Sequence, residues 1–220
     1  MLTDYLKLGY IPRGGSSTDT DAVCSEAVSR TLNYYHSDYA ISRAALKLGY
    51  IKDAAVLSTR ASNYSLIFDS DTGFFRSRSL NETWSKPFNQ YTWGGDYTEG
   101  GPWQFRFYVP FDPKGLANLY QTSKKGSGEP GSMCREILHG LTSRPTFHVG
   151  SYGNEIHEEA EMVENCGEHF GQYSHNNQPV HHMLYMMMHE GYGSSCAQQG
   201  QGYVRKVLST LYRYCMICNV

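Results

Sequence analysis

The sequence of 220 residues lacks an apolar run of about eighteen residues, the length that a membrane-spanning helix requires. It also lacks an excess of charge: 19 Lys and Arg residues are set against 21 Asp and Glu residues, for a net charge of -2. The basic residues are scattered, so an electrostatic nucleic-acid binder is excluded. The start, residues 1–7, has no apolar h-region, and no signal peptide is expected from it.

Cysteine is sparse and widely spaced, with six residues that do not form the dense pattern of a disulfide scaffold. Cys215 and Cys218 form a CxxC pair, but a structural zinc site needs a second pair of ligands, so zinc is not expected there. Two glycosylation sequons are present, Asn63-Tyr64-Ser65 and Asn81-Glu82-Thr83. They matter if the chain enters the secretory path, and the sequence leaves the compartment open.

Aromatic residues are abundant: 18 Tyr, 9 Phe and 3 Trp make up 14% of the chain. Tyrosine combines apolar area with a hydroxyl, which suits a large polar cleft such as a carbohydrate site. A tyrosine-rich core is an equally good explanation.

Helical periodicity dominates, and strand patterns are weak throughout. The spacing of apolar residues and the capping signals predict about seven helices, among them 26–48, 52–66, one begun by Asp112 and Pro113, 154–165, one from Pro179 to Gly191 carrying His182, Tyr185 and Met186 on one face, and a last one around Tyr203 and Leu211. Residues 69–73 are predicted to form a turn, residues 74–98 a long loop, and residues 122–132 a flexible linker or a local insertion. Helical hairpins joined by polar loops indicate a mainly α toroid or bundle.

Residues 96–105 place one carboxylate, Glu99, in a loop of small residues, with Trp103 and Gln104 directly behind it. Cleavage of a sugar needs an acid for the leaving oxygen, a ring to stack on the sugar and an amide to hold hydroxyls. The alternative is a turn with a helix-capping residue.

The chain resembles glycoside hydrolase family 92, the calcium-dependent exo-acting α-mannosidases, over about residues 5–214. The motifs that carry the resemblance occur in order: Gly9-Tyr10-Ile11-Pro12, Ser29 to Tyr34 with Asp38, Arg60 to Tyr64, Thr72 to Arg76, Tyr97 to Gly100 with Trp103-Gln104, Val109 to Asp112 with Gly115-Leu116, Phe170 to Tyr173, Asn177-Gln178-Pro179 and His181-His182.

The resemblance implies part of an (α/α)6 toroid of the six-hairpin glycosidase type, with residues 1–220 forming an incomplete catalytic domain. The family's N-terminal β-sandwich has no counterpart here, and neither does the loop after Tyr214 that supplies its catalytic base. The chain is therefore expected to be a truncated member that is inactive or nearly so by itself.

The implied function is that of an inverting α-mannosidase acting on α-mannosides of N-glycans or mannans. The chain is expected to be a monomer, and its compartment stays open, with the secretory path favoured for the full-length parent. The alternatives are a non-catalytic glycan-binding remnant of the same fold and a helical fragment that does not fold alone.

By the resemblance, Glu99 is the general acid, and that role requires a partly desolvated pocket that raises its pKa. Trp103 and Gln104 either touch the sugar or pack in the ordinary way. Arg76 and Asp38 match family positions, but a buried ion pair, a cap or, for Arg76, cation–π packing explains them equally well.

Asn177 and Gln178 match the family's loop near calcium and substrate, and amide oxygens suit Ca²⁺. Many relatives carry Glu where this chain has Gln178, which weakens calcium binding; the alternative is that both residues cap a helix. His181 and His182 are assigned to substrate binding. Because they are adjacent on a helix they cannot both bind one metal, and a satisfied buried histidine is the alternative for either.

Overall fold

The computed structural model describes residues 1–14, 25–142, 178–188 and 198–203, together with Arg205 and Ser209. Within these ranges the fold is mainly helical, as the sequence predicts. The α-helices are α1 (Leu2–Leu8), α2 (Ala27–Lys47), α3 (Ile51–Ala61), α4 (Pro102–Phe105), α5 (Pro113–Thr122), α6 (Ser132–Thr142) and α7 (Met183–Met186), and residues 198–203 are also helical. Short 3-10 helices span Ser62–Ile67 and Gln178–Val180. No helix in the described part combines the length and hydropathy of a membrane span.

The predicted helices 26–48 and 52–66 are confirmed by α2 and by α3 with its 3-10 extension. The predicted start of α5 is also confirmed, because the Asp112 carboxylate accepts a hydrogen bond of 3.0 Å from the amide of Gly115. A free amide at the start of a helix is satisfied in this way by a capping carboxylate. The predicted helix 154–165 lies outside the described residues.

Helices α2 and α3 form a hairpin through Gly49, whose φ of 84° is readily adopted by glycine. The Asp38 carboxylate joins the two helices by accepting two hydrogen bonds from Arg60, at 2.8 and 3.1 Å. Asp38 is 8% exposed. The structure therefore gives Asp38 the role of a buried ion-pair partner, one of the alternatives left open for it.

Helix α1 docks on this hairpin through a polar side chain. Tyr5 is 2% exposed and donates a hydrogen bond of 2.8 Å to Asp38, while Leu2 and Leu6 point outward with exposures of 58% and 52%. Burial and the neighbouring carboxylate of Asp38 raise the pKa of Tyr5 well above its usual value, so the phenol remains a donor.

Strands β1 (Phe68–Asp69) and β2 (Phe74–Phe75) pair antiparallel, with Phe68 opposite Phe75, and the predicted turn joins them. The Phe68 ring meets the ring of Tyr120 at 5.2 Å, edge to face. Tyr35, Tyr120 and Phe107 are all 0% exposed. In the described residues, the aromatic content thus builds a tyrosine-rich core.

The segment predicted as a linker or insertion, 122–132, folds as consecutive turns between α5 and α6. Gly126 donates to the carbonyl of Ser123 at 3.1 Å, and Gly128 donates to that of Gln121 at 2.9 Å. Helices α5 and α6 contact each other, so the segment connects neighbouring helices.

The helix predicted from Pro179 is present as a 3-10 turn followed by α7, with Gly191 outside the described residues. The prediction that His182, Tyr185 and Met186 lie on one face of this helix is wrong for Tyr185. Met183 and Met186 are buried, whereas Tyr185 is 48% exposed. The 3-10 turn shifts the start of the regular helix, and with it the register of the buried face.

Candidate active site

The loop that carries Glu99 is held on both sides by hydrogen bonds. On one side, the Thr98 amide donates to Ser29 Oγ on α2 at 2.8 Å. On the other side, the Gly94 amide donates to the Gly100 carbonyl at 2.7 Å, which closes the loop. Glu99 itself has a φ of 43°, a left-handed conformation that is costly for a residue with a side chain. The loop therefore fixes the backbone of Glu99 in a strained geometry.

The Glu99 side chain is exposed in the described part of the molecule. A general acid requires a partly desolvated carboxyl, since burial is what raises the pKa of such a group. The described residues do not provide that desolvation, and this departs from the expected pocket. Proton transfer from Glu99 would need further atoms packed over it.

Trp103 is 2% exposed, and its ring is covered within the protein. The guanidinium carbon of Arg106 lies 4.4 Å from its centroid, and the Phe74 ring meets it edge-on at 5.2 Å. Its indole N–H is buried and has no hydrogen-bond partner among the described residues. These contacts favour the packing alternative for Trp103 over stacking on a sugar.

Gln104 is 0% exposed, and from the third position of α4 its side chain reaches back to Gly101, the residue that caps the helix. Its Oε1 accepts a hydrogen bond of 2.9 Å from the amide of Gly101, and Pro102 occupies the first turn. The amide therefore secures the turn directly after Glu99. In the described geometry, the role of Gln104 is to position that turn.

Arg76 is 8% exposed and lies in an ion pair with Asp69 at 2.5 Å. It also donates to the Ser85 carbonyl at 2.8 Å, and its guanidinium carbon lies 4.4 Å from the Phe88 centroid. Burial raises the pKa of Asp69, but hydrogen bonds led by that from Arg76 outweigh it and hold this pKa below its usual value. Both the ion pair and the cation–π packing considered for Arg76 are present.

A small cavity of about 110 Å³ opens between Arg76 and the loop that precedes Glu99. Asp96 borders the cavity. One oxygen of its carboxylate accepts a hydrogen bond of 2.6 Å from Ser77 Oγ, and the other lies 3.4 Å from Arg13 Nε. Asp96 and Arg13 were not singled out by the sequence. The sequence signal that could have identified Asp96 is its position three residues before Glu99.

His182 lies at the start of α7 and is fixed to the segment that follows α4. Its Nε2 donates to the carbonyl of Phe107 at 2.7 Å, and its ring meets the Tyr108 ring edge to face at 5.4 Å. Burial lowers the pKa of His182 to about 4, and the bond to Phe107 offsets this only in part. At neutral pH the imidazole is therefore neutral. This agrees with the alternative in which His182 is a buried histidine whose hydrogen bonding is satisfied within the protein. His181 is exposed.

Two distant motif segments thus come together. Helix α4, which follows the Glu99 loop, contacts the 3-10 turn Gln178–Val180. Asn177 and the side chain of Gln178 lie outside the described residues, so their expected roles stay predictions.

The described residues contain no group of three or more His, Cys, Asp or Glu side chains placed to hold a metal. Calcium prefers six to eight oxygen ligands with several carboxylates. The donors described here do not form such a set.

Comparison with known proteins identifies the family of the chain. The model of the glycosyl hydrolase family 92 catalytic domain matches residues 1–215. A curated protein named as an uncharacterized secreted glycosidase of Arthroderma benhamiae is 27% identical over 141 residues, covering 54% of this chain and 18% of its own length.

Two solved structures from Bacteroides thetaiotaomicron are similar over most of the chain. The family GH92 inverting mannosidase BT2199 matches at a TM-score of 0.61 with 33% identity, over 84% of this chain and 22% of its own. The α-mannosidase BT3965, in complex with mannoimidazole, matches at a TM-score of 0.72 with 26% identity, over 94% of this chain and 24% of its own. The chain thus spans about a quarter or less of the length of these relatives.

Proposed function

Because this chain belongs to glycosyl hydrolase family 92, we propose that it contributes part of the catalytic domain of an inverting, exo-acting α-mannosidase. The substrates proposed are α-mannosides of N-glycans or mannans. The names of the two similar structures, an inverting mannosidase and an α-mannosidase in complex with mannoimidazole, support this proposal.

The observation that carries the proposal is the construction of the Glu99 loop. Its carboxylate stands on a strained backbone at φ 43°, between the Ser29–Thr98 bond of 2.8 Å and the capped start of α4. Strain of about 1–3 kcal/mol persists where the surroundings impose it, and such residues cluster at active sites. Glu99 is proposed as the general acid that protonates the leaving oxygen.

Inversion requires a second carboxyl on the opposite face of the sugar, roughly 6.5–9.5 Å away so that a water fits between them. The sequence motifs provide no residue for this role. The proposed enzyme therefore needs a base from outside the matched motifs, in a longer parent polypeptide.

The segment from Asn177 to His182 is proposed to form the second wall of the sugar site. It is supported by the contact between α4 and the Gln178–Val180 turn and by the His182–Phe107 bond of 2.7 Å. His182 would orient this wall as a neutral imidazole. Exposed His181 is proposed to face substrate.

Calcium is proposed as the cofactor of the longer enzyme, where it would bind sugar hydroxyls. Asn177 and Gln178 would each contribute a neutral amide oxygen, and further ligands would have to come from elsewhere. No step of the proposed chemistry of this chain depends on the ion.

A second candidate is a glycan-binding remnant that does not catalyse hydrolysis. The exposure of the Glu99 side chain to solvent favours it, because a general acid works in a partly desolvated pocket. The two candidates differ in what Glu99 does for a bound ligand.

The distinguishing experiment is calorimetry of the 220-residue chain with mannoimidazole and with mannose, repeated for Glu99→Gln. The imidazole nitrogen of mannoimidazole is basic, so it can accept a hydrogen bond from a general acid. For an acid we expect Glu99→Gln to weaken mannoimidazole binding about tenfold, or ~1.4 kcal/mol. Asp53→Asn, on the exposed side of α3, is the matched control.

Mannoimidazole and mannose binding that is equal in the parent chain and in Glu99→Gln, without hydrolysis, would favour the remnant. A folded chain that binds neither ligand would contradict both candidates. Robust calcium-dependent release of mannose would show that a base acts within these 220 residues.

A further inference from the structure

We propose that Asn81 is an N-glycosylation site of this protein and that the second sequon, at Asn63, is not used. The two sequons satisfy the same sequence rule but lie in different structural surroundings. The proposal concerns the protein's own modification and does not depend on the mannosidase assignment.

Asn81 lies at the tip of a short hairpin. Arg78 and Trp84 pair in an isolated antiparallel bridge, and Leu80, Asn81, Glu82 and Thr83 between them are all exposed. Glu82 takes a left-handed conformation with a φ of 62°, which turns the chain at the middle position of the sequon. The acceptor residue therefore points away from the body of the protein, where a bulky glycan finds room.

The side chain of Asn81 is arranged as a sequon needs. Thr83 Oγ1 donates a hydrogen bond of 2.9 Å to Asn81 Oδ1, and Ser79 Oγ donates to the same oxygen. Both bonds engage Oδ1 and neither engages Nδ2, the atom that would carry the sugar. Donation to the carbonyl oxygen withdraws electrons from the amide and eases loss of its N–H proton.

The turn is held in place from the protein side. Arg78 donates to the carbonyl of Glu82 at 3.0 and 2.8 Å and to that of Leu66 at 3.0 Å. Its guanidinium carbon also lies 5.0 Å from the centroid of the Trp84 ring. These anchors do not include the Asn81 side chain, so a glycan there leaves them in place.

Asn63 differs because it lies within the 3-10 helix Ser62–Ile67 and is partly buried. Its Nδ2 lies 3.0 Å from the point where a Cβ on Gly9 would be, so the amide packs against the end of α1. A sugar on Nδ2 would have to displace that segment. Folding and modification therefore conflict at Asn63 and are compatible at Asn81.

The described chain also carries a mark of an oxidising compartment, since Cys134 is buried and disulfide-bonded. Disulfides persist in secreted proteins and in the lumen of the secretory path. The relative from Arthroderma benhamiae is named as secreted. In such a compartment Asn81 meets the glycosyl donors.

The reaction is a transfer from a lipid-linked glycosyl diphosphate. Asn81 Nδ2 bonds to the anomeric carbon of the donor, the bond from that carbon to the diphosphate oxygen breaks, and the lipid diphosphate leaves with the electron pair. The proton lost from Nδ2 goes to a base of the transferase, and no oxidant or reductant is needed.

The test is secretion of the 220-residue chain, fused to an added cleavable signal peptide, from a eukaryotic cell line, followed by intact mass measurement before and after treatment with peptide N-glycosidase. We expect one glycan per chain, lost in Asn81→Gln and in Thr83→Ala and retained in Asn63→Gln and in Thr83→Ser. Digestion and peptide mapping should show deamidation at position 81 after glycosidase treatment.

A glycan on Asn63, or a glycan that remains in Asn81→Gln, would overturn the proposal. A parent chain that is secreted without any glycan would also overturn it. Because Thr83→Ser differs from the parent by one methyl group, its retention of the glycan separates loss of the sequon from misfolding in Thr83→Ala.

Discussion

His182 is joined to Phe107 by a hydrogen bond of 2.7 Å that connects two segments 75 positions apart in the chain. Phe107 follows the turn of α4, and His182 follows the Gln178–Val180 turn. This bond fixes the relative position of the two segments to which the sugar site is assigned.

Removal of this bond should destabilise the fold. In His182→Ala the Phe107 carbonyl loses its donor, and we expect the free energy of unfolding to fall by about 1–3 kcal/mol. Urea unfolding measures this change. His181→Ala is the matched control, and for this exposed neighbour we expect a change within about 0.5 kcal/mol. Equal losses in both variants would contradict the role assigned to the bond.

The free energy of unfolding should depend on pH because of the same histidine, His182. The pKa of His182 is lowered in the folded state to about 4, against an ordinary value near 6.5, so the unfolded chain binds more protons between these two values. Its contribution to stability is therefore complete above about pH 6.5 and is lost as the pH falls towards 4, by about 2–3 kcal/mol. Urea midpoints measured across this window should fall more steeply in the parent chain than in His182→Gln.

Substitutions at Glu99 should distinguish the backbone strain of this residue from the role of its carboxyl group. Because φ is 43° there, Glu99→Gly should be tolerated or should stabilise the protein by up to about 1 kcal/mol, whereas Glu99→Val should destabilise it. Glu99→Gln keeps the strain and removes only the acid. Thermal unfolding of the three variants measures the first effect. A lower melting temperature for Glu99→Gly than for Glu99→Gln would show that the loop does not strain this residue.

Trp103 should behave as a core residue. Trp103→Ala is expected to cost about 3–5 kcal/mol because a large ring is deleted from a packed site. Trp103→Phe should cost far less, since the buried indole N–H has no partner to lose in the part of the chain that the structure describes. Chemical denaturation gives both values. Mannoimidazole binding that survives in folded Trp103→Phe would agree with packing, and its loss there would restore the stacking interpretation.

Calcium binding should respond to charge at position 178. A carboxylate attracts Ca²⁺ more strongly than an amide, so Gln178→Glu should bind the ion about tenfold more tightly. At saturating calcium this adds ~1.4 kcal/mol of stability, which thermal unfolding with and without calcium detects. Gln121→Glu makes the same chemical change on α5 as a control. An equal calcium response in the parent and in Gln178→Glu would place the ion elsewhere.

The sequence predicted α2, α3 and α5 because their periodicity and caps agree with the fold. It did not predict α1, since this helix buries Asp4 and Tyr5 and exposes Leu2 and Leu6, the reverse of the usual pattern. Helix α6 was also missed. Its buried residues Met133, Cys134 and Ile137 carry a helical pattern, but the Gly-rich turns before it hide its start.

The candidate site was predictable in its segments and not in its contacts. The motif order assigns Glu99 and Gln178 to the same site, which stays a prediction, and the structure shows a contact of α4 with the Gln178–Val180 turn. No sequence pattern indicates that Arg106 and Phe74 cover the Trp103 ring, because that depends on side chains from separate elements. Exposure of Glu99 depends in the same way on what is packed above it.

The paired bonds between Asp38 and Arg60 restrict how the N-terminal helices can move. A slide of α3 along α2 by a single residue, about 1.5 Å, would misalign both oxygens with the guanidinium. Helix α2 also carries Ser29, which holds the amide of Thr98. Asp38 therefore holds α1, α2 and α3 to one another, and Ser29 continues this chain of contacts from α2 to the backbone beside Glu99.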